Sequence, residues 1–364
     1  MSAASEGLEG IVAAETVLSH VDGERGRLIF RGHDIEDLAG RTSQEAVAAL
    51  LWRGFVETDP AGLAGALGAA RGIAFDIARP LLPSARGLSP VEGLRLLLAA
   101  LPDTAAIPHA LLATGAMPVF VAALERDRNG QVLLEPEPSL SQAADFLRML
   151  RGAAATPDHV AALETYLVTV ADHGLNASTF TARVVASTRA GVFSSVVAAL
   201  CALKGPLHGG APGPVIEMLD SIGTPENAKA WLEAALDRGD RLMGFGHRVY
   251  RVRDPRADAL KRAVRVLGEG SNSLPGRLAF AEAVETAALA VLKERKPNRS
   301  LQTNVELYTA LMLEALAFPP DAFTCVFAIG RVAGWVAHAR EQVEGGRLIR
   351  PQSVYIGPKP LAAA

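Results

Sequence analysis

Residues 156–174 read TPDHVAALETYLVTVADHG, and this stretch decides the fold class. Thr156 before Pro157 is a helix start. The threonine oxygen caps a free backbone N–H, and proline at the first helical position gives up an N–H that has no partner there anyway. Val160, Leu163, Leu167 and Val170 follow at three- and four-residue spacing, so one face is apolar. The pattern predicts a helix that stops at Asp172-His173-Gly174. Thr224-Pro225 and Asp254-Pro255 repeat the start signal ahead of helices over 228–236 and 257–267. TSQE at 42–45 and SLSQ at 139–142 read as capping boxes before helices over 46–52 and 143–150. Further helices are predicted over 277–294, 305–317 and 322–343. Only the start looks extended, with 16–21 and 27–30 flanking Asp22-Gly23 as a hairpin; Gln131 to Leu134 is a candidate short strand. No alternating βα pattern or repeat occurs, so the expected class is all-α with a short N-terminal β-hairpin.

Composition agrees. Of 364 residues 49% are hydrophobic and only 5% aromatic, which favours helices over a β-sandwich. At roughly 100 to 200 residues per domain the length suggests two lobes. The net charge of -3, from 36 basic and 39 acidic side chains, leaves no broad basic surface for nucleic acid or an anionic membrane. The longest uncharged run, 104–124, carries Pro108, Gly115 and Pro118 and does not read as a membrane span. Residues 1–10 lack a basic region followed by an apolar run, so no secretory signal is read there. Cys201 and Cys325 lie far apart in apolar surroundings and are expected to be core thiols of a cytoplasmic protein.

Three stretches set ionisable residues among glycines: DHGLNAS at 172–178, GPLHGGAP at 205–212 and GFGHRVYR at 244–251. Each puts a histidine on a turn between helices, where glycine lets a ligand approach the backbone. A single such histidine is more often a cap or turn residue; three of them point to carbonyl chemistry. Zinc fits poorly, because His173, His208 and His247 are dozens of residues apart and no HxxxH or CxxC spacing exists. No GxxxxGK[ST] phosphate loop occurs either. His208 precedes a helix expected near Pro212, whose positive end would keep the imidazole neutral and a hydrogen-bond donor. Arg256, Arg331 in IGRVAG at 329–334 and Arg350 in LIRPQ at 348–352 are forked cations suited to carboxylates. The plainer alternatives are a snorkelling helix residue for Arg331 and a solvated tail residue for Arg350. Glu306 in NVELY at 304–308 opens an apolar helix, either as a dipole partner or as a general base.

Together with GLEGIVA at 7–13 and GRLIFRG at 26–32, these motifs resemble the citrate synthase family over essentially the whole chain. The resemblance implies a multi-helical homodimer with a discontinuous large domain, 1–208 and 312–364, and an inserted small domain, 209–311. It implies condensation of acetyl-CoA with oxaloacetate to citrate and CoA, with no metal or other cofactor. By the same resemblance His208 stabilises the enol, His247 polarises the ketone and Glu306, where the family motif carries aspartate, removes the methyl proton. His173, Arg256 and Arg331 hold oxaloacetate, with Asn176 and Ser178 in support. Arg350 reaches the partner subunit's site, and Gly244 and Arg251 hold coenzyme A. The basic run Lys293 to Arg299 is a further phosphate candidate or a solvated helix end. The alternatives are a 2-methylcitrate synthase using propionyl-CoA and a weakly active sensor of CoA or dicarboxylate.

Overall fold

The computed structural model describes residues 6–8, 10–56, 59–209, 212–247, 249–269 and 274–358. Gly210 and Ala211 of the second histidine stretch, Arg248 of the third, and Glu9 of the first family motif lie outside them.

The hairpin is present as β1 (Ser19–Asp22) and β2 (Arg27–Phe30), antiparallel with Ser19 opposite Phe30 and Asp22 opposite Arg27. β3 (His33–Asp34) adds to β2. The turn is longer than the Asp22-Gly23 signal predicts. Asp22 stays in the ladder and its Oδ1 accepts the Arg25 N–H at 3.0 Å, which folds residues 23–26 into a four-residue loop. Gln131 to Leu134 forms no strand. The Val132 carbonyl is taken by Arg126 Nε instead.

The other regular elements among the described residues are helices. Thr156 caps as expected, accepting the His159 N–H at 3.3 Å, but its helix, Pro157–Thr169, stops three residues before Asp172. Asn176 caps the next helix, Ala177–Ser187, and claims the intervening residues for a turn. The two capping boxes are shifted. Ser43 and Ser141 are the caps, while Glu45 reaches across to accept the Gln142 N–H at 2.8 Å, so the anticipated acid ties two helices together.

The central element is the helix Phe323–Gly345, largely buried from Phe323 to Ala339. Two helices, Pro60–Ala85 and Pro320–Gly345, are long and apolar enough to cross a bilayer, but 89% of the second one's apolar window is covered by protein. The uncharged run 104–124 forms most of His109–Arg128, another core helix. Close approach inside the bundle depends on Gly330 and Gly334. A Cβ at Gly334 would stand 2.2 Å from the Ala171 carbonyl oxygen, and one at Gly330 2.4 Å from Val170 Cγ2. These two glycines seat the central helix on the end of Pro157–Thr169, bringing Arg331 and Trp335 beside the His173 turn. Cys325 is buried in this core and burial pushes its thiol up, whereas Cys201 is exposed, contrary to its expected place in the core. Its neighbours in sequence are apolar, but on the helix Val192–Leu203 it falls on the outward face.

Candidate active site

The three histidine turns open on one cleft of about 1110 Å³. His173, His208 and His247 line it together with Asn176, Arg256 and Arg331, and Glu306 and Arg251 complete the wall.

His247 is held by its own loop. Its Nδ1 accepts the N–H groups of Val249 at 3.0 Å and Tyr250 at 3.1 Å, so the ring proton sits on Nε2. Burial, reinforced by the Arg256 guanidinium, lowers its pKa to about 4. The loop is fixed against the start of the Glu306 helix: Phe245 bridges Thr303, Asn304 Nδ2 donates to the Gly246 carbonyl at 2.8 Å, and Asn304 N–H donates to the Gly244 carbonyl at 3.0 Å.

His208 leans on the first motif. Its Nε2 lies 2.9 Å from Ser178 Oγ and 3.4 Å from the Ser178 N–H, in the first turn of Ala177–Ser187. A helix N-terminus does meet this ring, that of Ala177–Ser187; the one expected at Pro212 follows Gly210 and Ala211, which lie outside the described residues. Burial first, then Arg331, lowers the His208 pKa to about 4. Behind it, Asn176 Oδ1 accepts the Thr179 N–H and the Ser178 hydroxyl, and Trp335 Nε1 donates to Ser178 Oγ at 3.1 Å. His173 is buried, with Nε2 at 3.2 Å from the Tyr250 hydroxyl and its ring 5.4 Å from that of His247. Burial and the nearby Arg256 keep it neutral.

The cations differ. Arg256 is buried and forked onto Asp254, with Nε to Oδ1 at 3.0 Å and Nη2 to Oδ2 at 2.7 Å. Asp254 Oδ2 also accepts the Val305 N–H at 3.2 Å, so one carboxylate fixes both the arginine and the helix that carries Glu306. Arg331 is equally buried, but among the described residues no carboxylate pairs with it directly; Asp172 acts on it only from further off. Its Nε donates to the Val170 carbonyl, its guanidinium lies 4.8 Å from the centre of the Phe327 ring, and its Nη1 has no partner. Burial lowers its pKa to about 10. Glu306 is half-buried in the first turn of Val305–Ala315, and burial outweighs the pull of Arg256 to raise its pKa to about 7. The cleft thus holds neutral imidazoles, two buried cations and one carboxylate that titrates near neutrality. That set accepts an anion and can move a proton.

The family model described as citrate synthase, C-terminal domain, matches residues 7–352. The chain belongs to the citrate synthase family. It is 40% identical to a citrate synthase of Haloferax volcanii, over 98% of this chain and 96% of that one. It is 36% identical to a 2-methylcitrate synthase of Mycobacterium tuberculosis, over 97% and 90%. A citrate synthase of Thermoplasma acidophilum, solved as a ternary complex with carboxymethyl coenzyme A and oxaloacetate, superposes with a TM-score of 0.88 at 29% identity, over 100% and 99%.

Within this citrate synthase family member, three predicted site residues stand outside the cleft wall. Ser178 lies behind His208. Gly244, with φ +85°, packs on Leu307 and joins the His247 loop to the Glu306 helix. Arg350 is exposed on the irregular C-terminal segment. Asp254, Tyr250 and Arg241 were not predicted as site residues. Arg241 also lines the cleft and acts on both Glu306 and His247. Asp254 was legible only as a helix start, and Arg241 carries no local signal. Among the described residues no three His, Cys, Asp or Glu side chains gather as a metal site.

Proposed function

We propose that the protein condenses acetyl-CoA with oxaloacetate to citrate and CoA. The observation that carries this reading is the buried Arg331 with its unpartnered Nη1, in the same cleft as a carboxylate that titrates at about 7. Arg331 and Arg256, with His173, hold the oxaloacetate carboxylates, and Asn176 and Ser178 support them. Glu306 takes a proton from the acetyl methyl group while His208 donates to the thioester oxygen, giving the enol. The enol carbon attacks the ketone of oxaloacetate, His247 Nε2–H supplies the proton to the new alkoxide, and water cleaves citryl-CoA to citrate and CoA. Neutral donors preset for a developing oxyanion are the main source of rate in such a site.

Coenzyme A is placed along Arg251, with the Gly244 turn shaping the loop and Arg241 as a further phosphate contact. The small domain of this reading spans 209–311 and the large domain 1–208 and 312–364. The exposed Arg350, followed by the exposed apolar side chains of Val354, Tyr355 and Ile356, supports a homodimer in which it completes the partner's site. The cytoplasm is the proposed location.

Release of free thiol from acetyl-CoA plus oxaloacetate tests the reading. Glu306→Gln is expected to cut it by about 10² to 10⁴-fold while sparing oxaloacetate binding. Tight binding without any thiol release from the parent would instead mark a sensor. A second reading, propionyl-CoA as the acyl donor, draws on the cleft wall beside His208, where Leu207 is 94% exposed. One methylene in an apolar site is worth about 1 to 3 kcal/mol, so the ratio of kcat/KM for the two acyl-CoAs decides between them.

A further inference from the structure

The N-terminal hairpin touches the turns of two site histidines, yet its tip belongs to no motif with an assigned role. Ser19 Oγ accepts the Gly174 N–H at 3.0 Å, beside His173. At the other end the Gly23 carbonyl accepts the Arg251 N–H at 2.9 Å. The approach there is close: a Cβ at Gly23 would stand 2.2 Å from the Val249 carbonyl oxygen and 2.8 Å from its carbon. Gly23 is not in the left-handed region, so space and not backbone strain demands glycine. Residues 249–251 are also the backbone that sets His247, since the Val249 and Tyr250 N–H groups fill its Nδ1.

We infer that Gly23 is a positioning residue for His247: the hairpin tip clamps the 249–251 backbone, and that clamp keeps the His247 proton on Nε2, facing the cleft. The hairpin therefore acts as a wall of the site as well as the first element of the fold. Without the clamp, Val249 and Tyr250 are free to turn their N–H groups away, Nδ1 competes for the proton, and the donor toward the substrate ketone is lost for part of the time. The catalytic consequence rests on the function proposed above; the tautomer does not.

Gly23→Ala is the test. With ¹⁵N-labelled histidine, and His247 assigned by comparison with His247→Gln, the parent should show an unprotonated Nδ1 and a protonated Nε2 across neutral pH. In Gly23→Ala these shifts should move toward values averaged over both tautomers. Turnover should fall by about 10 to 100-fold, the scale of a 1 Å misplacement. Oxaloacetate affinity, set by Arg256 and Arg331, should stay close to the parent's, and the ketone stretch of bound oxaloacetate should move back toward its value in water. Parent-like His247 shifts in folded Gly23→Ala overturn the inference. A parent ketone stretch already at the value in water overturns the proposed role of His247 and leaves the clamp to be judged by the nitrogen shifts. Should Gly23→Ala fail to fold, Asp22→Ala removes the acceptor that shapes the same turn. It should show the same direction of change, with rescue in Asp22→Asn; equal, parent-like shifts in both overturn the clamp.

Discussion

Arg256 and Arg331 are both buried in one cleft, yet one is complete and the other is not. Arg256 is neutralised by Asp254 through a two-point contact, and its charge is held above the usual arginine range despite burial. Arg331 has a backbone carbonyl, an aromatic face and an empty Nη1, and its pKa falls to about 10. A buried cation with its own carboxylate is part of the scaffold; a buried cation without one is waiting for an anion. If both hold oxaloacetate, as proposed above, the contrast makes Arg256 the preset contact and gives Arg331 the larger gain on ligand binding.

Stability separates the two most sharply. Arg256→Met leaves Asp254 buried without its counter-charge and should cost about 3 to 5 kcal/mol. Arg331→Met removes a desolvated charge, so the ligand-free protein should be unchanged or more stable by about 1 kcal/mol. Urea unfolding without ligand reads both, and equal losses would erase the distinction. Added oxaloacetate should raise the unfolding midpoint of the parent and do little for Arg331→Met.

The next largest effect lies in pH dependence. Glu306 must be ionised to act as a base, and its carboxyl is raised to about 7. Activity should therefore climb as pH rises through 7 and then level, falling about tenfold per unit on the acid side. His208 and His247, at about 4, are already neutral throughout that range and add no limb to it. Arg256 is the strongest influence holding the Glu306 pKa down, and Arg331 is not among the leading groups that act on it. Titration of the Glu306 carboxyl by ¹³C NMR should thus move upward in Arg256→Met and much less in Arg331→Met. A shift of equal size in both would mean that the two charges are felt alike.

How much of this was legible in the sequence follows the same divide. Local signals carried far: the Thr156-Pro157 and Asp254-Pro255 helix starts, the hairpin, and the three glycine-flanked histidines all stand where their sequence places them. Arg256 and Arg331 were readable as cations in the wrong surroundings for a plain helix. What stayed hidden was long-range. Ser178 meets His208 across 30 residues and Asp254 meets the Val305 N–H across 51, and the local sequence announces neither pairing. The shifted caps at Ser43 and Ser141 show tertiary contacts winning over a local motif, since Glu45 found Gln142 in place of its own helix start. Gly330 and Gly334 look like weak points of a helix until the Pro157–Thr169 helix end lies against them.

The smallest expected effect reports on the incomplete arginine alone. Trp335 is fully buried one turn after Arg331, and its Nε1 donates to Ser178 Oγ, which also meets His208 Nε2. A carboxylate that pairs with Arg331 changes the field across this indole without needing to touch it. Oxaloacetate alone should therefore alter tryptophan emission, and the change should vanish in both Trp335→Phe and Arg331→Met. Trp52, whose Nε1 is held by the Ala333 carbonyl, faces the core away from the cleft wall and should contribute nothing. If the response survives in Arg331→Met, the anion is engaged first by the Arg256 side of the cleft, and the empty Nη1 is not where binding begins.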